Sequence, residues 1–146
     1  MTMDRDILVR MWTEAWKEGI WYTPWASAVD GLSARQAAWK PDPDRHSIWQ
    51  IVTHIMFWQE YTLRMLAGDK TPQEEVDRRN WEEPVDVSER AWVETRTAFA
   101  ESYRKILAAM QTSETLDRLV YHLPHESYHI GQIMYVRALQ GFPPIE

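Results

Sequence analysis

The chain has 146 residues, of which 45% are apolar and 26% are charged, a composition typical of one globular domain. Its net charge of −6 argues against nucleic acid as the main partner, because phosphate binding needs a basic face. No apolar run reaches the ~20 residues of a membrane span, and the N-terminus MTMDRDILVR lacks the apolar core of a signal peptide. Since the chain contains no cysteine, we expect a cytoplasmic protein without disulfides, thiolate ligands or a membrane partner.

The first half of the chain contains two long segments with helical periodicity and no strand-like alternation. The first segment spans about residues 4–30, and its glycine and proline predict a bend before the end. The second helix has a clear start, because Ser47 and Gln50 have the spacing of a capping box, and it is predicted to end at Gly68.

The second half contains two further helices. Residues 68–86 are polar and contain proline, which predicts a long crossover loop. A third helix is predicted from about residue 88 to 110, and the last from about Pro124 to Gly141. A long crossover allows the second and third helices to run in the same direction. The sequence therefore predicts an all-α four-helix bundle that forms a single domain over residues 1–146.

Three of the five histidines have a spacing that suggests a metal site. His125 and His129 are four residues apart on the last helix, so both imidazoles can reach one ion. His54 lies midway along the second helix among apolar and aromatic neighbours, where a lone histidine is more often a hydrogen-bonded core residue. Three imidazoles from two facing helices can instead hold one divalent ion and leave coordination positions open to solvent. We therefore predict that His54, His125 and His129 are metal ligands.

The other two histidines are weaker candidates for metal ligands. His46 directly precedes the Ser47 cap, which favours a solvated or capping-region side chain. His122 would share the face of His125 if the last helix extended backward, but Pro124 disfavours helical geometry at the residue before it. His122 therefore remains open as an alternative ligand or as a residue that supports a ligand.

The segment HESYH also fits the zinc-protease pattern H-E-x-x-H, in which the glutamate is a general base. That class needs a third ligand downstream, yet no histidine follows His129, and the only later carboxylate is the terminal Glu146. An all-helical chain also offers no sheet edge for an extended peptide. We therefore interpret Glu126 as a first-turn residue favoured by the helix dipole.

Two segments resemble the DinB/YfiT-like superfamily. SARQAAWKPDPDRHSIWQIVTHIMFWQEYTLRMLAG is similar to its second-helix region, and HESYHIGQIMYVRALQG is similar to its last helix, with the pattern H-x-x-x-H-x-G-Q. The resemblance extends over essentially the whole chain. It implies a four-helix bundle that holds one divalent ion (zinc, nickel, iron or manganese) through histidines matching His54, His125 and His129.

The resemblance also implies a function. Characterised relatives include transferases and isomerases that use bacillithiol, mycothiol or similar thiols, and many members are homodimers. We therefore expect a metal-dependent transferase that activates a low-molecular-weight thiol for attack on an electrophilic small molecule. A metal-dependent hydrolase that uses bound water, and a non-enzymatic metal-binding bundle, remain alternatives. A homodimer is expected, since a small bundle rich in tryptophan retains apolar surface.

Residues beside the histidines have two open interpretations. Gln132 is expected either to hydrogen-bond near a ligand or to pack between helices, and Gly131 to allow close helix packing. Four aromatic residues are candidates for pocket walls, although each is more often plain core: Trp16, Trp49, Trp58 and Tyr128.

Overall fold

A computed structural model describes residues 4–145, and every regular element among them is helical. The elements in chain order are α1 (Arg5–Lys17), α2 (Trp25–Ala28), α3 (Ala34–Ala38), α4 (Ile48–Leu66), α5 (Gln73–Arg79), α6 (Glu89–Thr112), a 3-10 turn (Leu119–Tyr121) and α7 (His122–Leu139). The all-α class predicted from the sequence is confirmed.

The longest helices, α1, α4, α6 and α7, enclose the apolar core. α6 packs against both α1 and α4, and α4 also packs against α7. The short helices α2 and α3 contact α7 and α4, respectively. Large side chains fill the interior; those with essentially no exposed surface include Trp12, Trp25, Trp92, Phe99, Ile55, Ile106 and Ile133. None of the helices in residues 4–145 is both long and apolar enough to span a membrane.

α4, which carries His54, begins where the sequence predicts. The Ser47 hydroxyl accepts a hydrogen bond from the Gln50 backbone N–H, and the Gln50 side-chain oxygen accepts one from the Ser47 N–H, both at 3.1 Å. Two N–H groups that have no partner within the helix are thereby satisfied. The predicted capping box is confirmed, and it fixes the start of the helix two turns before His54.

The predicted first segment is not one bent helix. α1 ends at Lys17, and irregular backbone follows until α2 begins at Trp25. Gly19 has a φ of +76°, a left-handed conformation that ends a helix, and a Cβ at this position would lie 1.9 Å from the Tyr22 carbonyl oxygen. The glycine therefore terminates the helix rather than bending it.

The predicted loop at residues 68–86 contains the helix α5, so that part of the prediction was wrong. α5 buries none of its residues and therefore has no apolar stripe for periodicity to detect. Ion pairs attach it to α4: the guanidinium of Arg79 lies 2.7 Å from Glu60, and that of Arg64 lies 2.9 Å from Glu75.

α7 begins at His122, two residues before the predicted start at Pro124. The 3-10 turn leads directly into it, so the chain is already helical when it reaches the proline. Pro124 occupies the third helical position, where a backbone N–H would have no partner within the helix, and its missing N–H therefore costs nothing there. Consequently His122 is part of the helix and shares a face with His125 and His129.

Candidate metal centre

His54 lies on the face of α4 that is turned towards α7. Its side chain is buried, and its Nδ1–H donates a 2.7 Å hydrogen bond to the backbone carbonyl of Asn80, in the loop after α5. This bond fixes the tautomer and leaves Nε2 as the nitrogen with a free lone pair. Burial lowers the pKa of His54 to about 4, so the imidazole is neutral at neutral pH.

His125 and His129 lie one turn apart on α7, with their Nε2 atoms 3.1 Å from each other. His129 is buried, and its Nδ1–H donates a 2.7 Å hydrogen bond to Oε1 of Gln132, whose amide in turn donates to the Tyr128 hydroxyl at 3.1 Å. Burial also lowers the pKa of His129. Of the two interpretations of Gln132, the structure shows the hydrogen bond to a candidate ligand.

The three histidines converge on one point. One ligand nitrogen from each of His54, His125 and His129 lies within 4.8 Å of the other two. The His54 ring centroid is 4.7 Å from that of His129 and 5.4 Å from that of His125. Metal–nitrogen bonds of ~2.0–2.1 Å place neighbouring ligand atoms about 3 Å apart, so the 3.1 Å between the two Nε2 atoms of α7 suits a shared ion.

The remaining nitrogen of His125 faces a carboxylate. Its Nδ1 lies 3.5 Å from Oε2 of Glu126, slightly longer than an ordinary hydrogen bond, and this buried oxygen has no other hydrogen-bond partner among the described residues. Each candidate ligand therefore has a protein acceptor facing its Nδ1, which is the arrangement that directs Nε2 towards a metal ion.

Glu126 is a buried network residue, so its interpretation as a first-turn residue favoured by the helix dipole was wrong. Its side chain is fully buried, and its Oε1 accepts hydrogen bonds from the Gln59 amide at 3.0 Å and from His122 Nδ1 at 2.9 Å. Burial alone would raise the pKa of Glu126, but the His122 hydrogen bond and the neighbouring His125 ring outweigh it and hold the pKa below its ordinary value.

His122 supports the site rather than completing it. Its Nδ1 is engaged by Glu126, and its Nε2 lies 2.8 Å from the Thr62 hydroxyl. His122, His125 and Glu126 do form a second group whose ligand atoms lie within 4.8 Å of one another. Because both His122 nitrogens already have buried partners, an ion there would have to break hydrogen bonds that the His54 group leaves intact.

Trp81 stacks between two histidines, an arrangement that the sequence analysis missed. Its ring lies parallel to that of His54 at a centroid distance of 3.7 Å, and parallel to that of His46 on its other face at 3.8 Å. The Gln50 amide holds the Trp81 carbonyl at 3.2 Å. His46 is therefore half-buried against an aromatic ring and not simply a solvated residue.

The four candidate wall aromatics divide into two groups. Trp16 and Trp49 belong to the core, since Trp16 stacks on Tyr103 with ring centroids 4.6 Å apart and Trp49 packs against Trp92 at 5.0 Å. Trp58 and Tyr128 lie beside the histidines. Trp58 donates a 2.9 Å hydrogen bond to the side chain of Asn80, whose carbonyl holds His54.

The donor set fits a divalent transition metal. Imidazole ligands bring no negative charge to a metal ion, so an ion bound there would keep its full charge as a Lewis acid. Three protein ligands also fall short of the four that close a structural zinc site, which leaves at least one position for a small molecule.

An all-helical fold with three clustered histidines between two long helices, two of them buried, defines a class of helical protein with a candidate metal site. Residues 24–138 match the family model of the DinB superfamily, and the chain belongs to that superfamily. The resemblance identified from the sequence is thus confirmed. Comparisons with curated proteins and with solved structures found no match.

Proposed function

We propose that the protein binds one divalent metal ion through His54, His125 and His129 and that it acts as a metal-dependent transferase. The observation that carries the proposal is the common orientation of the three imidazoles: each Nδ1 faces a protein acceptor, and the Nε2 atoms are left to share an ion. An all-nitrogen donor set favours zinc, nickel or iron over manganese, which prefers oxygen ligands.

The bound ion supplies a lowered pKa for a coordinated thiol or water, which makes a nucleophile available at neutral pH. The chain has no cysteine, so a sulfur nucleophile must come from a low-molecular-weight thiol such as bacillithiol or mycothiol. Asn80, Glu126 and Gln132 keep the imidazoles oriented, while Trp81 covers one face of His54 and excludes water from it. The electrophilic small molecule then approaches through the side of His125 that is open to solvent.

The proposal includes the organisation of the chain. Residues 1–146 form a single four-helix-bundle domain of the DinB/YfiT type, in which the crossover between α4 and α6 allows these helices to run in the same direction. We also propose a cytoplasmic homodimer. Exposed aromatic residues on α7 support dimerisation, since Tyr128 and Tyr135 are each about two-thirds exposed and lie seven residues apart on one helix face.

Metal analysis of untagged protein by mass spectrometry tests the ligand assignment. We expect near one equivalent of a transition metal in the native chain and none in His54→Ala or His129→Ala. His46→Ala is the matched control, because His46 contacts Trp81 but none of the ligand nitrogens, and it should retain the ion. Retention of the ion in His54→Ala together with its loss in His122→Gln would instead assign the metal to the second group.

Measuring whether turnover requires a thiol tests the proposed transferase reaction. Metal-loaded protein is assayed against electrophilic small molecules with and without bacillithiol-type thiols, and His129→Ala serves as the metal-free control. Transferase activity requires both the thiol and the metal. Turnover that is independent of thiol indicates a hydrolase with bound water as nucleophile, and full metal occupancy without turnover in either assay indicates a metal-binding bundle that is not an enzyme.

A further inference from the structure

A cleft of about 400 Å³ lies between α4 and the start of α7 and extends to the candidate metal centre. Its walls are aromatic and apolar, formed by Trp58, Tyr61 and Met65 from α4 and by Tyr121 from the 3-10 turn. His125 forms the end beside the metal centre. The larger cleft beside α4 and α6, about 660 Å³, touches none of the three candidate ligands.

The cleft contains one permanently charged residue, Arg118, at the turn that leads into the 3-10 turn. Arg118 is exposed to solvent, and among residues 4–145 its guanidinium makes no ion pair or hydrogen bond, whereas the part-buried Arg64 and Arg79 are each paired with glutamates. A guanidinium offers a fork of N–H donors that matches a carboxylate. Because Arg118 lines an aromatic cleft and is not engaged by a carboxylate of the described chain, it can pair with an anionic ligand that enters the cleft.

Arg118 and His125 both line the cleft. They are separated by a short stretch of 3-10 and α-helix, which rises about 12 Å along its axis. A molecule that contacts both residues at once therefore has an elongated body, and the aromatic walls favour a flat apolar one. Tyr121, which is two-thirds exposed, would lie over such a body and lose much of its contact with water.

We propose that this cleft binds the electrophilic substrate, and that the substrate is a small aromatic or unsaturated carboxylate. Its carboxylate pairs with Arg118, its apolar body lies between Trp58, Tyr61 and Tyr121, and its reactive end lies next to His125. This inference deepens the proposed function and rests on it for the role of the ligand as substrate. Binding of the carboxylate itself depends only on the cleft.

Calorimetric titration at pH 8 with 3-phenylpropionate and its uncharged analogue 3-phenylpropionamide tests the cleft. Full-length protein is used both loaded with metal and treated with chelator, so that binding to the cleft is measured separately from binding to the ion. We expect the acid to bind about tenfold more tightly than the amide in both forms. Inorganic phosphate at equal concentration should not displace the acid, because it makes no contact with the apolar walls.

Two variants measure separately how much the charge of Arg118 and the apolar walls of the cleft contribute to binding. Arg118→Gln should lower affinity for the acid about tenfold and leave affinity for the amide unchanged, with Arg10→Gln, an exposed arginine on α1, as the matched control. Met65→Ala should weaken both ligands by the same factor, about threefold to tenfold. Because Arg118 has no partner in the described chain, its replacement should leave folding and metal content intact.

Several results would contradict the proposal that the cleft binds a carboxylate. These are equal binding of acid and amide, binding of neither at about 5 mM, an acid preference that survives in Arg118→Gln, and binding of the acid only when metal is present. In the last case the ion, and not Arg118, holds the carboxylate. Failure of the proposed metal function is seen separately, as absence of metal from the native chain while the acid still binds through Arg118.

Discussion

The Trp81 indole lies flat against the His54 imidazole, with ring centroids 3.7 Å apart and planes inclined by 5°. The contact joins a residue of the loop after α5 to a candidate ligand on α4. It leaves the His54 ring a narrow range of rotation, because the Asn80 carbonyl already fixes Nδ1. The loop thus determines the orientation of the ligand.

Replacement of Trp81 should therefore weaken metal binding without removing a ligand. We expect Trp81→Ala to lower metal affinity about tenfold, and Trp81→Phe to lower it less, because phenylalanine retains part of the stack. Competition with a chromophoric chelator measures the affinity. Trp21→Ala is the matched control, since Trp21 is fully exposed. Equal affinities for Trp81→Ala and the native chain would show that the stack has no part in metal binding.

The hydrogen bond from His129 to Gln132 predicts a pair of opposite effects. Gln132→Leu removes the acceptor for Nδ1–H, and we expect it to lower metal affinity about 10- to 100-fold. Gln132→Glu keeps an acceptor and adds a negative charge, so its affinity should equal or exceed that of the native chain. The same chelator competition serves here, and a Gln132→Leu variant with native affinity would refute a supporting role for this residue.

Core packing predicts a stability difference between two isoleucines. Ile106 on α6 is completely buried, so Ile106→Ala should lower the free energy of unfolding by about 2–5 kcal/mol. Ile7 on α1 is 42% exposed, and Ile7→Ala should cost about 1 kcal/mol or less. Urea denaturation of the two variants measures the difference. Comparable losses would indicate that the Ile7 face is covered in solution, as in a dimer.

The ion pair that holds α5 predicts a pH-dependent contribution to stability. Hydrogen bonds from Arg79 hold the pKa of Glu60 below its ordinary value, although partial burial opposes them. A carboxylate with a depressed folded-state pKa stabilises the fold above its unfolded-state pKa, and this contribution is lost as the pH falls through the folded-state value. Glu60→Gln should therefore lower stability at pH 7 by about 0.5–1 kcal/mol, the range for a half-exposed pair.

The difference between Glu60→Gln and the native chain should shrink as the pH falls through the lowered folded-state pKa of Glu60. Unfolding free energies measured from pH 7 to 3 test this. Glu94→Gln is the matched control, because Glu94 is more exposed and lies 3.8 Å from Arg90. A Glu60→Gln deficit that stays constant over the whole range would contradict the linkage.

Replacing two glycines with alanine should change the stability of the protein in opposite directions. Gly131 lies within α7, and a Cβ there meets no atom within 4 Å, so its predicted role in close helix packing finds no support within the described chain. Gly131→Ala should raise stability by about 0.5–1 kcal/mol. Gly19→Ala should lower it by about 1–3 kcal/mol, because Gly19 has a positive φ and its Cβ would strike the Tyr22 carbonyl. Thermal denaturation compares them, and a destabilised Gly131→Ala would reveal a neighbour from outside the chain.

The fold was predictable where local patterns carry the information. The Ser47 capping box and the apolar stripe after it place α4 correctly, because both signals lie within one helix. α5 could not be found in this way, since ion pairs such as that between Arg79 and Glu60 hold it to α4 and it buries no residue. The start of α7 was predicted two residues too late. Proline disfavours helical geometry at the residue before it, but the chain is already helical when it reaches Pro124.

The site was predictable to the same degree. A four-residue spacing on α7 is enough to bring His125 and His129 together, and the packing of α4 on α7 brings in His54. The contacts of Trp81 and Asn80 with His54 join a loop to a helix 26 or 27 residues earlier, and no local pattern records them. The burial of Glu126 likewise depends on Gln59 of α4, which only the folded chain brings near.

The buried chain of hydrogen bonds around Glu126 has a consequence for how an ion enters. Ser102 on α6 donates to Gln59 on α4, and Gln59 donates to Glu126 on α7, so three helices are joined through one polar path. Aliphatic surfaces tolerate a small slide of one helix along another, but hydrogen bonds lose their geometry when the helices shift. The path therefore sets the axial register of α7 on α4 before any ion arrives. An ion bound by the three histidines would therefore meet preorganised ligands, and little of its binding energy would be spent on ordering the protein.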